Sequence, residues 1–362
     1  VKRTVVVSDL HLGARSKVPV AGRPAGLARL VDIAAGADRL VLLGDTIELR
    51  EAPVEEALAG ARPVFEAIGE AMAGREVVLI AGNHDHALVA PWLADRRSAG
   101  LGPVALDQAV DVSSLQLVQR IAGWLGEARL DVRYPGIWLR DDVYATHGHY
   151  LDVHLTVPSF ERLAIGANRK VSKRTADPES VEDYEAILTP IYDWLFQRAQ
   201  GAQEHHNRKG GPSGRAWKLL AGEGSGSPAS VALSALIPVA VGALNRAGLG
   251  PLRSNITGVE LRRAGLRAAG EVCRTLDIRA EHVLFGHTHR TGPLPGDALG
   301  EWRTSTGARL HNAGSWVSSR ELMPNAKPGS PYWPGGGIVL DGDNEPRVEW
   351  LLSGLTADEM EA

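Results

Sequence analysis

The stretch Thr4-Val-Val-Val-Ser-Asp-Leu-His-Leu-Gly13 is a Val-rich run that stops abruptly on a carboxylate and an imidazole. A short β-branched run closed by polar, turn-forming residues is how a strand buried on both faces reads. Four later runs repeat the pattern. Arg39 to Leu43 leads into Gly44 and Asp45, and Val77 to Ala81 into Gly82, Asn83, His84 and Asp85. Val143 to Thr146 leads into His147 and His149, and His282 to Phe285 into Gly286, His287, Thr288 and His289. In open α/β sheets the residues just past the carboxyl ends of the strands line the ligand crevice. One rim is therefore expected to gather Asp9, His11, Asp45, Asn83, His147, His287 and His289, with His149 as the alternative to His147.

Carboxylate, imidazole and amide donors without thiolate suit Mn²⁺, Fe²⁺, Zn²⁺, Co²⁺ or Mg²⁺, and Mn²⁺ is the favoured expectation. Seven donors are too many for one tetrahedral ion but suit two ions that share a bridging carboxylate. Two ions about 3.5 to 4 Å apart bind a phosphoryl group, lower the pKa of a bridging water and offset the charge of an in-line displacement. The expected activity is hydrolysis of a phosphate ester or diphosphate by a metal-bridging hydroxide.

Taken in order, DLH at Asp9 to His11, GD at Gly44 and Asp45, GNHD at Gly82 to Asp85, THGH at Thr146 to His149 and GHTH at Gly286 to His289 resemble the calcineurin-like metallophosphoesterases. The resemblance spans both flanks of the chain but not its middle. It implies a four-layer α/β/β/α sandwich with an inserted helical cap. It also implies one metal on Asp9, His11, Asp45 and His289, and a second on Asp45, Asn83, His147 and His287. By the same resemblance His84 faces the leaving group, as proton donor or oxyanion stabiliser. Asp85 is expected to orient it or to cap the following helix. Asn312, in Asn312-Ala-Gly-Ser-Trp316, resembles a segment that returns to the site in a supporting role and is placed with the substrate contacts. Arg15 and Lys17, beside DLH, are expected to contact phosphate.

The GDxVDRG and GNHE motifs of the protein serine/threonine phosphatases are absent, which disfavours a protein substrate. The opening Ser8 to Gly13 and the acid three positions after Asp45 resemble the branch containing UDP-2,3-diacylglucosamine diphosphatases, whose members carry Arg where this chain has His84. A diphosphatase of that kind, acting at the membrane face, is the second reading. A non-catalytic metal-binding scaffold is the third, and the complete ligand set argues against it.

The 362 residues, 44% hydrophobic and 23% charged, have ordinary globular composition. A net charge of -4 gives no general basic field and disfavours nucleic acid as a partner. The partner expected is a phosphorylated small molecule or nucleotide-linked substrate. Lone Cys273 forms no internal disulfide and sits in an apolar helical pattern, so an inert thiol is expected. With no signal-peptide pattern ahead of the first strand, a cytoplasmic location is expected.

Strand-like runs alternate with helical patterns at 25–35, 54–73 and 114–127, as in layered α/β proteins. The domains expected are a core of residues 1–153 and 265–362 and a cap of 154–264. Within the cap, Val181 to Gln200 has helical apolar spacing, and Pro190 should bend or divide it. The basic cluster Arg162, Arg169, Lys170, Lys173 and Arg174 reads mainly as a solvated face. The apolar stretch Ala229 to Leu244, interrupted by Pro238, reads as a packed lid helix, with peripheral membrane contact as its alternative.

Overall fold

The computed structural model describes residues 3–157, 159–172, 176–201, 258–318 and 328–362, together with 242, 244–246 and 250. Most of the 229–244 stretch, Lys173 and Arg174 lie outside the described residues.

The described strands are β1 (Arg3–Val7), β2 (Val18–Pro19), β3 (Arg39–Leu43), β4 (Glu76–Ile80), β5 (Asp107–Ala109), β6 (Arg129–Arg140) and β7 (Val143–Thr146). Then come β8 (His282–Phe285), β9 (Thr291–Gly292), β10 (Arg309–Ala313), β11 (Val317–Ser318), β12 (Gly336–Asp341) and β13 (Arg347–Trp350). Apart from the small β2–β11 pair they form one path, β13-β12-β1-β3-β4-β6-β7-β8-β10-β9, with β5 on β6. Strand β6 is where the path folds over. Its residues 129–133 run parallel to β4, and residues 136–140 run antiparallel to β7.

Side-chain alternation then explains why the leading strands are apolar throughout. Val5, Val7, Leu40, Leu42, Val77 and Leu79 face one core, while Val6, Val41, Leu43, Val78 and Ile80 face another. That second core also takes Ile137, Val143, Ala145, Leu284 and Ala313 from the other half of the path, so the two halves pack face to face. Each fully buried Val, Leu or Ile side chain among them contributes about 1.5 to 3 kcal/mol.

Helices α1 (Pro24–Ala35), α2 (Val54–Ala71), α3 (Ala90–Ser98) and α4 (Gln116–Leu125) follow the early strands. Leu30, Phe65, Ile68, Trp92 and Ile121 cover the outer face of the first half. The outer face of the second half is covered by α5 (Phe160–Ser172), α6 (Val181–Gln200) and α7 (Gly258–Thr275), whose Ile165, Tyr184, Leu188, Leu266 and Val272 pack with Tyr144, Val283 and Phe285. A short α8 (Ala357–Glu361) follows β13. Four layers result, as the resemblance implied.

Three details depart from the sequence reading. The helices of the expected cap, α5 and α6, share a core with β7 and β8 and form an outer layer of the sandwich, and the 264/265 division falls inside α7. Pro190 does not divide α6, which continues from Val181 to Gln200. The proline forfeits one helical bond. Against that loss stand a Ser180–Asp183 capping box and the buried face of Tyr184, Ile187, Leu188, Ile191 and Leu195. Arg162 is no surface charge: it is buried and donates to the carbonyls of Leu155 and Gly250. Cys273 is buried, and burial pushes its thiol up to about 12, so it is protonated and inert.

Candidate metal centre

Strands β1, β3, β4, β7 and β8 all end at one rim, and the chain turns sharply there. Among the described residues six non-glycine residues have positive φ, and five of them are Asp9 (56°), His11 (46°), Asp45 (49°), His287 (64°) and His289 (58°). Side chains rarely occupy this left-handed region, at a cost on the order of 1 to 3 kcal/mol each. Hydrogen bonds across the loops hold it. The amides of Asp9, His11 and Leu12 donate to the carbonyls of Gly44, Asp45 and Thr46, and the buried Asp85 carboxylate accepts from the amides of Gly82, Asp45, Thr46 and Ile47. Gly44, at φ 82°, has the His147 ring where a Cβ would stand, and a Cβ on Gly286 would strike Ser8 and the Asp9 carboxylate. These motif glycines let donor side chains approach the backbone of neighbouring loops.

The donors converge in three overlapping groups, Asp9–His11–His289, His11–Asp45–His84 and Asp45–His147–His287, each with ligand atoms within 4.8 Å of one another. Asp45 Oδ2 lies 3.3 Å from His147 Nε2 and 3.8 Å from His11 Nε2. His289 Nε2 is 3.1 Å from both His11 Nε2 and Asp9 Oδ1. The Asn83 amide oxygen faces His147 Nε2 at 3.3 Å and His287 Nδ1 at 3.1 Å.

The ring nitrogens turned away from this convergence are held from outside. His11 Nδ1 meets Glu48 Oε2 at 3.0 Å, His147 Nδ1 meets the Leu43 carbonyl at 2.9 Å, and His287 Nε2 meets Asp152 Oδ1 at 2.9 Å. Such partners fix the tautomer and ring plane of metal-binding histidines. The donors also fit a cation on other grounds. Asp9 Oδ1 is buried without a hydrogen bond, although His289 is near. Turned over, the Asn83 amide would donate to His147, Asp45 and His287 and accept from Arg50; a cation selects the opposite orientation because it needs the oxygen lone pair.

Charge is balanced locally. Burial alone would raise the Asp45 carboxyl, but His147, His84 and His11 hold it well below its ordinary value. Burial opposes charge on His147 too, yet Asp45 and Asp9 push it up to about 10. His84 goes the other way: burial takes it down to about 3, outweighing Glu48 and Asp45.

All seven expected donors meet at this rim. His147 is in the convergence, whereas His149 is buried against Tyr134, whose hydroxyl is 3.2 Å from its Nε2. Three expectations need correction. Asp85 neither orients His84 nor caps a helix, because its carboxylate is committed to four loop amides; Glu48 Oε1, 2.7 Å from His84 Nδ1, is the group that holds that ring. Asn312 is buried, with its amide donating to Gly286 and Thr288 and accepting from Gly314, so it braces the GHTH loop rather than facing substrate. Arg15 points to α2, where Glu56 pairs with it. Sequence reading missed Glu48 and Asp152 as positioning groups. Glu48 had been read only as an acid near Asp45, and Asp152 serves a histidine 135 residues away.

A layered α/β sandwich with these donors at the carboxyl ends of its strands defines a metal-dependent hydrolase class. The family model "Calcineurin-like phosphoesterase" matches residues 2–222, and the chain belongs to that family. It is accordingly a metal-dependent phosphoesterase. His287 and His289 lie beyond the matched span and join the centre through the geometry alone. No curated protein matches the chain. Among the described residues no helix is long and apolar enough to cross a membrane.

Proposed function

We propose that this protein hydrolyses a phosphate ester or diphosphate of a small-molecule or nucleotide-linked substrate at a two-metal centre. The observation that carries the reading is the position of Asp45. Its Oδ2 is shared between the His11 side and the His147–His287 side, which is where a bridging carboxylate belongs. Asp9, His11, Asp45 and His289 would hold one ion, and Asp45, Asn83, His147 and His287 the other. Two divalent ions, Mn²⁺ favoured, would supply an activated water and offset charge on the phosphoryl group.

The chain's own residues then do the rest. Glu48 fixes both His11 and His84 through their Nδ1 atoms, at 3.0 and 2.7 Å. With Nδ1 donating to Glu48, His84 presents Nε2 to the partly open side of the centre, 3.9 Å from Asp45 Oδ2. Neutral His84 can take a proton there; donating one to the leaving oxygen requires the imidazolium, which Glu48 and Asp45 favour and burial opposes. Lys17 Nζ lies 3.5 Å from Glu48 Oε2, beside His84, and is the cation of the Arg15–Lys17 pair that we place on the phosphate.

The test is Mn²⁺-supplemented hydrolysis of bis-p-nitrophenyl phosphate and p-nitrophenyl phosphate by the purified chain. Turnover is expected in the parent, with a loss of about 100-fold or more in Asp45→Asn. Equal rates in the two proteins would mean that the bridging carboxylate plays no part.

A further inference from the structure

We infer that the groove between α7 and residues 300–305 is a second anion site, which takes a phosphate dianion, either free or carried on a small metabolite. The inference goes beyond the hydrolase reading, because no residue lining the groove is a donor of the metal centre. The groove follows from the two faces of one helix. Leu266, Ala269, Val272 and Cys273 of α7 are buried in the core shared with β7 and β8. Arg263, Arg267, Gly270 and Glu271, at spacings of four, seven and eight, form another stripe and line the groove. Gly270 lets the next segment come close: a Cβ added there would lie 3.8 Å from the Thr304 Cα. With Arg303, Ser305 and His154 on the remaining walls, the hollow measures about 530 Å³, which suits a small ligand.

Charge in the groove is unequal. Its two carboxylates are already engaged: Glu301 accepts from Arg262 at 2.6 Å and from Arg263 at 2.8 Å, and Glu271 accepts from Arg274 at 2.9 Å. Two guanidiniums are left over. Arg267 Nη2 is 3.9 Å from Glu260 Oε2, past hydrogen-bond reach, and Glu260 already accepts from Arg263 at 3.0 Å. Among the described residues Arg303 donates to the Gly307 carbonyl, at 3.3 Å, and to no carboxylate. A solvated helix face of mixed charge closes its own pairs. This one leaves two unmatched cations beside a hollow, and a phosphate dianion matches them in charge and supplies acceptors for both forks. Both arginines reach solvent, so the attraction is modest and weakens with salt. Gly265, on the other side of α7, faces Thr288 of the GHTH loop, so the groove backs onto the metal centre without entering it.

The experiment is calorimetric titration of the Mn²⁺-loaded full chain at low salt, with inorganic phosphate and, separately, with the non-hydrolysable phosphonate analogue of a hexose 6-phosphate. The parent should show one event at the metals and one in the groove, and the groove event should persist when the titration is repeated after chelation. The double variant Arg267→Gln/Arg303→Gln should weaken the persisting event about tenfold or more, the scale of one charge-assisted hydrogen bond, with ester hydrolysis within about twofold of the parent. Ser305→Glu keeps both arginines, adds a carboxylate to the lining and should weaken it too. Arg62→Gln, which removes an exposed charge paired with Glu66 on α2, should leave it unchanged. The titrant that binds more tightly tells a phosphorylated metabolite from free phosphate. Binding that vanishes on chelation, that survives in the double variant, or that falls equally in Arg62→Gln overturns the inference; so does hydrolysis that falls in step with binding. Should the double variant fail to fold, Ser305→Glu decides. A parent that binds in the groove but hydrolyses neither ester sinks the hydrolase reading alone, and one that turns over without a chelation-resistant event sinks only the groove.

Discussion

Glu48 is fully buried and sits between two histidines, His11, proposed above as a metal donor, and His84, proposed to act beside the leaving group. Burial would raise its carboxyl, but His84, Lys17 and His11 hold it well below the ordinary value, so it is ionised and accepts from both rings. Glu48→Gln keeps the shape and removes the charge. We expect kcat to fall about 10- to 100-fold and half-activation to need more Mn²⁺, both read from metal-dependent kinetics; unchanged half-activation would separate Glu48 from His11. His147 predicts a pH dependence. Its imidazole is raised to about 10 in the metal-free chain, yet a metal takes only the neutral ring. The proton is bound below that value and competes with the ion, so apparent Mn²⁺ affinity should rise between about pH 6 and 8, by up to about tenfold per unit for each proton displaced. In the metal-free chain the sign reverses: the stabilisation from charged His147 is complete below its ordinary 6.5 and is lost as pH rises through about 10. A pH-independent Mn²⁺ titration would contradict both statements.

At the scale of elements, the strands that deliver donors were legible because each is buried on both faces and reads as an unbroken apolar run. Strand β6 was not. Its first residues alternate polar and apolar as a strand does, but Pro135 argues against a continuous strand; the proline is tolerated because it stands where pairing passes from β4 to β7. Helix α6 was legible to its end residues, but not its destination. Its apolar spacing placed it in an inserted cap, whereas Leu188 is fully buried in the core shared with β7 and β8. Leu188→Ala should therefore cost about 2 to 5 kcal/mol in chemical denaturation, as a true core truncation does. A loss below about 1 kcal/mol would mark α6 as a detachable cap after all.

Over the whole molecule, the centre is assembled from both halves of the folded-over sheet: Asp9, Asp45 and Asn83 follow β1, β3 and β4, while His147, His287 and His289 follow β7 and β8. A bound cation ties the halves together, so it stabilises the native fold over the unfolded chain. Chelation should lower the melting temperature by on the order of 5 °C, and excess Mn²⁺ should restore it; an unmoved transition would argue against such a centre. By itself the sequence determined the kinds of donor, their order and the strands that carry them, because strand period and turn chemistry are local and each donor sits within four residues of the end of an apolar run. Only the tertiary structure decided that Glu48 rather than Asp85 holds His84, that Asp152 holds His287, and that Arg50 stands beside Asn83. Those contacts join segments 33 to 135 residues apart, counting 83 − 50 for the nearest and Asp152 to His287 for the farthest. They form only when β3 pairs with β4 and β7 with β8, and no periodicity along the chain encodes those meetings.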